Sequence, residues 1–188
     1  LPVPFIEVVS DAVKRAVDVT KKGKIGVIAS PATVSSNSYK RNIEKLLPGA
    51  EVYQRECPLF VPLVEEGWID RKDAVTVETA RRYLTPLKEK GVDVLIMGCT
   101  HYPVITDIIR DVMGESVTLV NTGEYTSKAV LDYITKNNIQ NSSNRLGKHT
   151  YYVSDRTESF SHTASILMGK TINESVEKVD IDHIKELF

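Results

Sequence analysis

The chain has 188 residues, 41% of them hydrophobic, with 24 Lys and Arg set against 25 Asp and Glu. Such a composition buries a real core in one or two compact domains, and a charge near zero with no long run of one sign excludes nucleic acid as an expected partner. The absence of any long apolar run and of a signal-peptide pattern at the start points to a cytoplasmic protein with no membrane partner.

Short β-rich runs alternate with helical patterns along the chain. The first helical stripe is Phe5, Val8, Val9, Ala12, Val13, Ala16 and Val17, and the first strand is predicted over residues 25–29. Ile43, Leu46 and Leu47 continue a second helix before a strand at 51–54, and Val75, Ala80, Tyr83, Leu84 and Leu87 make a third. Residues 94–97 are Val-Leu-Ile-Met without polar alternation, as expected of a central strand buried on both faces. A fourth stripe, Ile105, Ile108, Ile109, Val112 and Met113, leads to a strand at 117–120. Residues 137–148 are polar and read as a surface connection near a domain boundary. A strand at 150–153 follows, and a weak helical pattern over 173–188 predicts a terminal helix. This alternation gives an α/β fold, a mainly parallel sheet flanked by helices.

Open α/β sheets hold ligands beyond the carboxyl ends of their strands. There the sequence places Ser30-Pro-Ala-Thr33, Gly98-Cys-Thr-His-Tyr-Pro103 and Asn121-Thr-Gly123. Cys99 follows the most buried strand, and Gly98 beside it lets a small ligand approach. A helix starting near Tyr102 and Pro103, together with His101, is expected to favour the thiolate. Read from position alone, Cys99 is either a reactive thiol or a small buried hydrophobe. His101, two residues on, either shares a proton with it, serves as the base of a cysteine hydrolase, or merely hydrogen-bonds at a strand end.

Other residues are secondary candidates. Thr33, with Ser30 and Ser35, offers donors for a carboxylate, although helix capping accounts for them equally well. Glu65, followed by Glu66, could orient a histidine or bind an ammonium group, or be a solvated helix end. Cys57, in an apolar stretch, reads as structural. Two cysteines are too few for a disulfide scaffold and these are wrongly spaced for zinc. No nucleotide-loop or His-Glu-x-x-His pattern occurs, so neither a cofactor nor a metal is expected. His149, His162 and His183 have no partner pattern and read as surface residues.

The run Leu95-Ile-Met-Gly-Cys-Thr-His-Tyr-Pro103 resembles the second-cysteine signature of glutamate racemases, in the aspartate/glutamate racemase superfamily. Aspartate racemases usually carry an acidic residue after Gly-Cys-Thr, so His101 points to the glutamate branch. Supporting matches follow in order: Ile25-Gly-Val-Ile-Ala29 with Ala32-Thr-Val34, then Cys57-Pro-Leu-Phe-Val-Pro-Leu-Val-Glu-Glu-Gly67, then Val120-Asn-Thr-Gly123. Tyr152-Val-Ser-Asp155 with Phe160 and Met168-Gly169 completes the series.

The resemblance implies two pseudo-symmetric α/β domains facing each other across a cleft, each contributing one cysteine. Residues 12–128 would be the near-complete domain carrying Cys99. Residues 1–11 and 129–188 would be parts of the other, whose amino-terminal portion with the first catalytic cysteine has no counterpart before Leu1. Because Leu1 is not Met, the chain reads as a fragment, inactive alone. The implied activity is cofactor-independent interconversion of L- and D-glutamate, supplying D-glutamate for peptidoglycan. Cys99 would be one base, His101 would assist proton transfer, Thr100, His101 and Thr33 would contact substrate, and Glu65 would lie near the site. Asn121 stands where the family commonly has Asp, and a homodimer is common among relatives. The alternatives are racemisation of another amino acid such as aspartate, a cysteine hydrolase using Cys99 and His101, or a non-catalytic glutamate- or protein-binding fragment.

Overall fold

The computed structural model describes residues 4–143, 147, 149–155, 157–171 and 176–180. It comprises two compact units, Leu1–Gln140 and Asn141–Phe188.

In the first unit the elements run α1 (Ser10–Val19), β1 (Lys24–Ala29), α2 (Pro31–Ser36), α3 (Ser38–Leu46), β2 (Glu51–Glu56), α4 (Phe60–Glu65) and α5 (Ala74–Glu89). They continue with β3 (Val94–Met97), a 3-10 turn (Tyr102–Ile105), α6 (Thr106–Met113), β4 (Thr118–Asn121) and α7 (Thr122–Lys136). The four strands form one parallel sheet in the order β2-β1-β3-β4. All four residues of β3 are buried, as its uninterrupted apolar run requires, whereas β2 at the edge is half-open.

Side chains alternate across the sheet. Ile25, Val27, Val94, Ile96 and Val120 pack with Ala12, Val13 and Ala16 of α1 and Tyr39 and Ile43 of α3 in one core. Ile28, Leu95 and Met97 turn the other way, and Leu84, Leu87, Ile108 and Ile109 of α5 and α6 are buried outside that cluster. Helices therefore cover both faces. The amino end of β3 is fastened separately. The Asp93 carboxylate accepts the N–H groups of Lys21 and Lys22 at 2.6 and 2.9 Å and the Thr20 hydroxyl at 2.8 Å. Burial alone would raise this carboxyl's pKa, but these three donors and the residue's own N–H outweigh it and hold it below the usual range.

Several predicted stripes start or end differently. Phe5 and Val8 are exposed because α1 begins only at Ser10, which leaves them ahead of the helix rather than on its apolar face. Leu46 and Val75 are exposed at a helix end and in a first turn.

In the second unit β5 (Tyr151–Val153) pairs in parallel with β6 (Val176–Lys178), and α8 (Thr157–Met168) lies between them in sequence. Tyr151 meets Phe160 of α8 at 5.6 Å between ring centres. The terminal helix expected over 173–188 is thus corrected at 176–178, where pairing of β-branched Val176 with Tyr151 overrides a weak helical pattern. Residues 172–175 and 181–188 of that expectation, including His183, lie outside the described residues. His149 and His162 are exposed. Among the described residues no helix is long and apolar enough to cross a membrane.

Candidate active site

Strand order fixes where a crevice opens. From β1 the chain proceeds to β2 on one side, and from β3 to β4 on the other, so the loops leaving the carboxyl ends of β1 and β3 diverge. Ligands of open α/β sheets sit at such a reversal. Ser30 to Thr33 lie on one lip and Gly98 to His101 on the other.

Gly98 lays the second lip flat against β1. Its N–H donates to the Ile28 carbonyl at 2.8 Å. A Cβ at this position would stand 3.0 Å from Cε2 of Tyr39, 3.1 Å from the Ile28 oxygen and 3.3 Å from the Ala29 Cβ. Glycine suits this position by closeness, not by an unusual backbone angle.

Cys99 is half-buried. Burial is the largest influence on its thiol and raises the pKa, while the N–H groups of His101, Thr100 and Tyr102 act in the opposite direction and lose. The expected thiolate preference is therefore corrected. The amides of the first turn do oppose burial, but desolvation outweighs them.

His101 joins the thiol to a carboxylate. Its Nδ1 lies 3.9 Å from the Cys99 sulfur and 3.4 Å from the Thr100 hydroxyl, and its Nε2 lies 3.3 Å from Oε1 of Glu65. The His101 side chain is 18% exposed and that of Glu65 48%, so the ring is sheltered while its carboxylate partner meets solvent. Glu65 reaches the site because it ends α4. Thr100 is exposed beside them.

Thr33 is half-buried on the neighbouring lip, where Ser30 caps α2. The Thr33 N–H donates to the Ser30 hydroxyl at 3.4 Å, and the two hydroxyls are 3.1 Å apart. Asn121 caps α7 by accepting the Gly123 N–H at 3.0 Å. Cys57 is fully buried, as a structural thiol should be, and burial pushes its pKa up to about 12.

The two thiols should separate chemically. Alkylation of Cys99 by iodoacetamide is expected to rise about tenfold per pH unit through neutrality and to level off only above the ordinary thiol pKa of about 8.5. Cys57 should stay unmodified in the folded protein. Peptide mass spectrometry across a pH series checks both, and a Cys99 rate that levels off below pH 8 would contradict the burial argument.

Sequence reasoning missed the aromatic residues around the site. Tyr39 lies beneath Gly98, and Tyr102, fully buried, donates its hydroxyl to the Cys57 carbonyl at 2.9 Å. The available signal was aromatic rings in short polar segments, where solvent exposure alone would not select them. Among the described residues no cluster of three or more His, Cys, Asp or Glu is arranged to hold a metal ion.

Residues 1–130 match the Asp/Glu/Hydantoin racemase family. A glutamate racemase of Geobacter metallireducens is 38% identical over 186 residues, 99% of this chain and 68% of that protein. One from Thermoanaerobacter sp. is 40% identical over 180 residues, 96% of this chain and 67% of that protein. The crystal structure of a Bacillus anthracis glutamate racemase superposes with a TM-score of 0.87 at 32% identity, covering 96% of this chain and 66% of that one. A Francisella tularensis glutamate racemase crystallised with D-glutamate gives 0.84 at 30% identity, covering 94% and 64%. The chain thus spans about two thirds of the length of these relatives. With a parallel sheet, a thiol and histidine beyond its central strand, and a family match over most of its length, the chain belongs to the Asp/Glu/Hydantoin racemase family.

Proposed function

We propose that this chain carries one wall of the active site of a glutamate racemase that interconverts the enantiomers without a cofactor. The observation that carries the proposal is the half-buried Cys99 at the sheet's reversal point, adjoining His101 and Glu65. Inverting a Cα centre requires a proton to leave one face and another to arrive on the opposite face, so two groups must flank the carbon. In the direction where Cys99 starts as a thiol, it delivers the incoming proton. In the reverse direction its thiolate removes one. His101 assists that exchange through the nitrogen facing the sulfur, and Glu65 holds the ring from the other side.

Charge developing at Cα spreads into the substrate carboxylate, which preorganised donors stabilise. Thr100 and Thr33 are assigned to it, with the N–H groups of their loops. Cys57 is sealed in the core and is not the opposing base. That base we assign to the part of the family's fold that this chain does not span. In this reading residues 12–128 form the domain of Cys99, and residues 1–11 with 129–188 belong to the other. The product serves peptidoglycan synthesis in the cytoplasm.

The full-length protein, incubated with L-glutamate in deuterium oxide and no added cofactor, is expected to place deuterium at Cα of D-glutamate. Mass spectrometry and chiral chromatography read this directly, and absence of both exchange and inversion would reject the proposal. The succession of thiol, imidazole and carboxylate also suits a cysteine hydrolase. A trapped acyl-enzyme on Cys99 would favour that second reading.

A further inference from the structure

We infer that Tyr102 is a positioning residue that sets the distance between Glu65 and His101 by pinning the Cys99 loop to α4. The inference rests on the proposed racemase reading for its kinetic test but on geometry for its substance.

The two groups that meet at 3.3 Å come from separate elements, Glu65 from the end of α4 and His101 from the loop after β3. Neither backbone is hydrogen-bonded to the other through these residues. What joins the elements is a buried aromatic strut. Phe60, at the start of α4, is edge-on to Tyr102 at 5.2 Å and 84°, and to Tyr83 of α5 at 5.3 Å and 87°. Such crossings are favourable beyond simple burial because a ring edge meets a ring face. Packing alone would allow sliding. The Tyr102 hydroxyl removes that freedom by donating to the carbonyl of Cys57, three residues ahead of Phe60.

Tyr102 directly follows His101, so a shift of one moves the other. Phe60, Tyr102 and Cys57 are all 0% exposed. The hydroxyl bond is therefore shielded from solvent. Cys57's carbonyl also accepts the Phe60 N–H at 3.2 Å, so it keeps one partner if the hydroxyl is removed. Tyr102→Phe keeps the ring and should leave the fold intact.

The test is a double-mutant cycle in the full-length protein with Tyr102→Phe, Glu65→Gln and both together. Tyr102→Phe is expected to lower kcat for racemisation roughly tenfold with KM little changed, less than the 10²-fold that a displacement of about 1 Å can cause. Because both substitutions act through one contact, the double variant should be no slower than the slower single variant. The ¹⁵N resonances of the His101 imidazole should move in Tyr102→Phe toward their positions in Glu65→Gln, a change that general loosening of the core would not produce. An unchanged kcat, multiplicative effects, or an unmoved His101 spectrum overturns the inference. If the parent protein fails to racemise glutamate, the racemase reading falls, while the imidazole spectra still decide whether Tyr102 positions His101.

Discussion

Cys99→Ser in the full-length protein is expected to cut exchange of the substrate Cα proton by roughly 10²–10⁴-fold, the range a positioned acid or base contributes. The substitution is nearly isosteric, and the sulfur is only half-buried, so thermal unfolding should change little. The loss comes from proton affinity. A thiol surrenders its proton near pH 8.5 even without help, and although burial raises that value here, the N–H groups of Thr100, His101 and Tyr102 remain to receive the anion. A serine hydroxyl in the same place is far too weak an acid to be ionised by three amides. Exchange followed by proton NMR in deuterium oxide, alongside a melting curve, separates chemistry from folding. Serine activity within a few-fold of the parent would show that the sulfur is not the proton-transfer group.

Gly98→Val should damage both properties at once. Alanine would already bring a Cβ to 3.1 Å from the Ile28 carbonyl oxygen, a backbone atom that moves only if β1 moves. Valine adds two methyl groups against Tyr39 and Ala29. Overpacking of this kind costs about 1–3 kcal/mol, and the melting temperature of a domain this size falls roughly 2–4 °C for each kcal/mol. The loop relieves the clash by lifting away from β1, carrying Cys99 with it. Racemisation should fall by about 10²-fold, the penalty of a displacement near 1 Å. Calorimetry and steady-state rates on the same preparation test the pair. A variant that loses stability yet keeps full activity would show that the loop's height above β1 does not govern the chemistry.

The parts of the molecule most legible in the sequence are those written in consecutive residues. Val94 to Met97 is apolar without interruption, which only a doubly covered strand explains, and its end fixes the place of Cys99. The spacing of Cys99 and His101, and the identity of Glu65 as a carboxylate suited to orient a ring, were visible for the same reason. The distance between Glu65 and His101 was not. It depends on how α4 packs against the turn at Tyr102, across 36 residues of separation. The upward push of burial on the Cys99 thiol is not legible in the sequence, because the helix start can be read from Tyr102 and Pro103, whereas burial is a sum over distant elements. At Val176 a parallel partner 25 positions earlier decided between strand and helix.

The clasp at Asp93 divides labour along one short strand. Cys99 lies six positions further on, about 20 Å at the rise of an extended chain, so the fastening that gathers Lys21, Lys22 and Thr20 operates remote from the Cys99 thiol. One end of β3 carries this polar clasp, and the other, held to β1 through the Gly98 N–H, carries the chemistry. Edits at the Asp93 tip of this four-residue rod should therefore change durability while leaving the chemistry at the other tip alone.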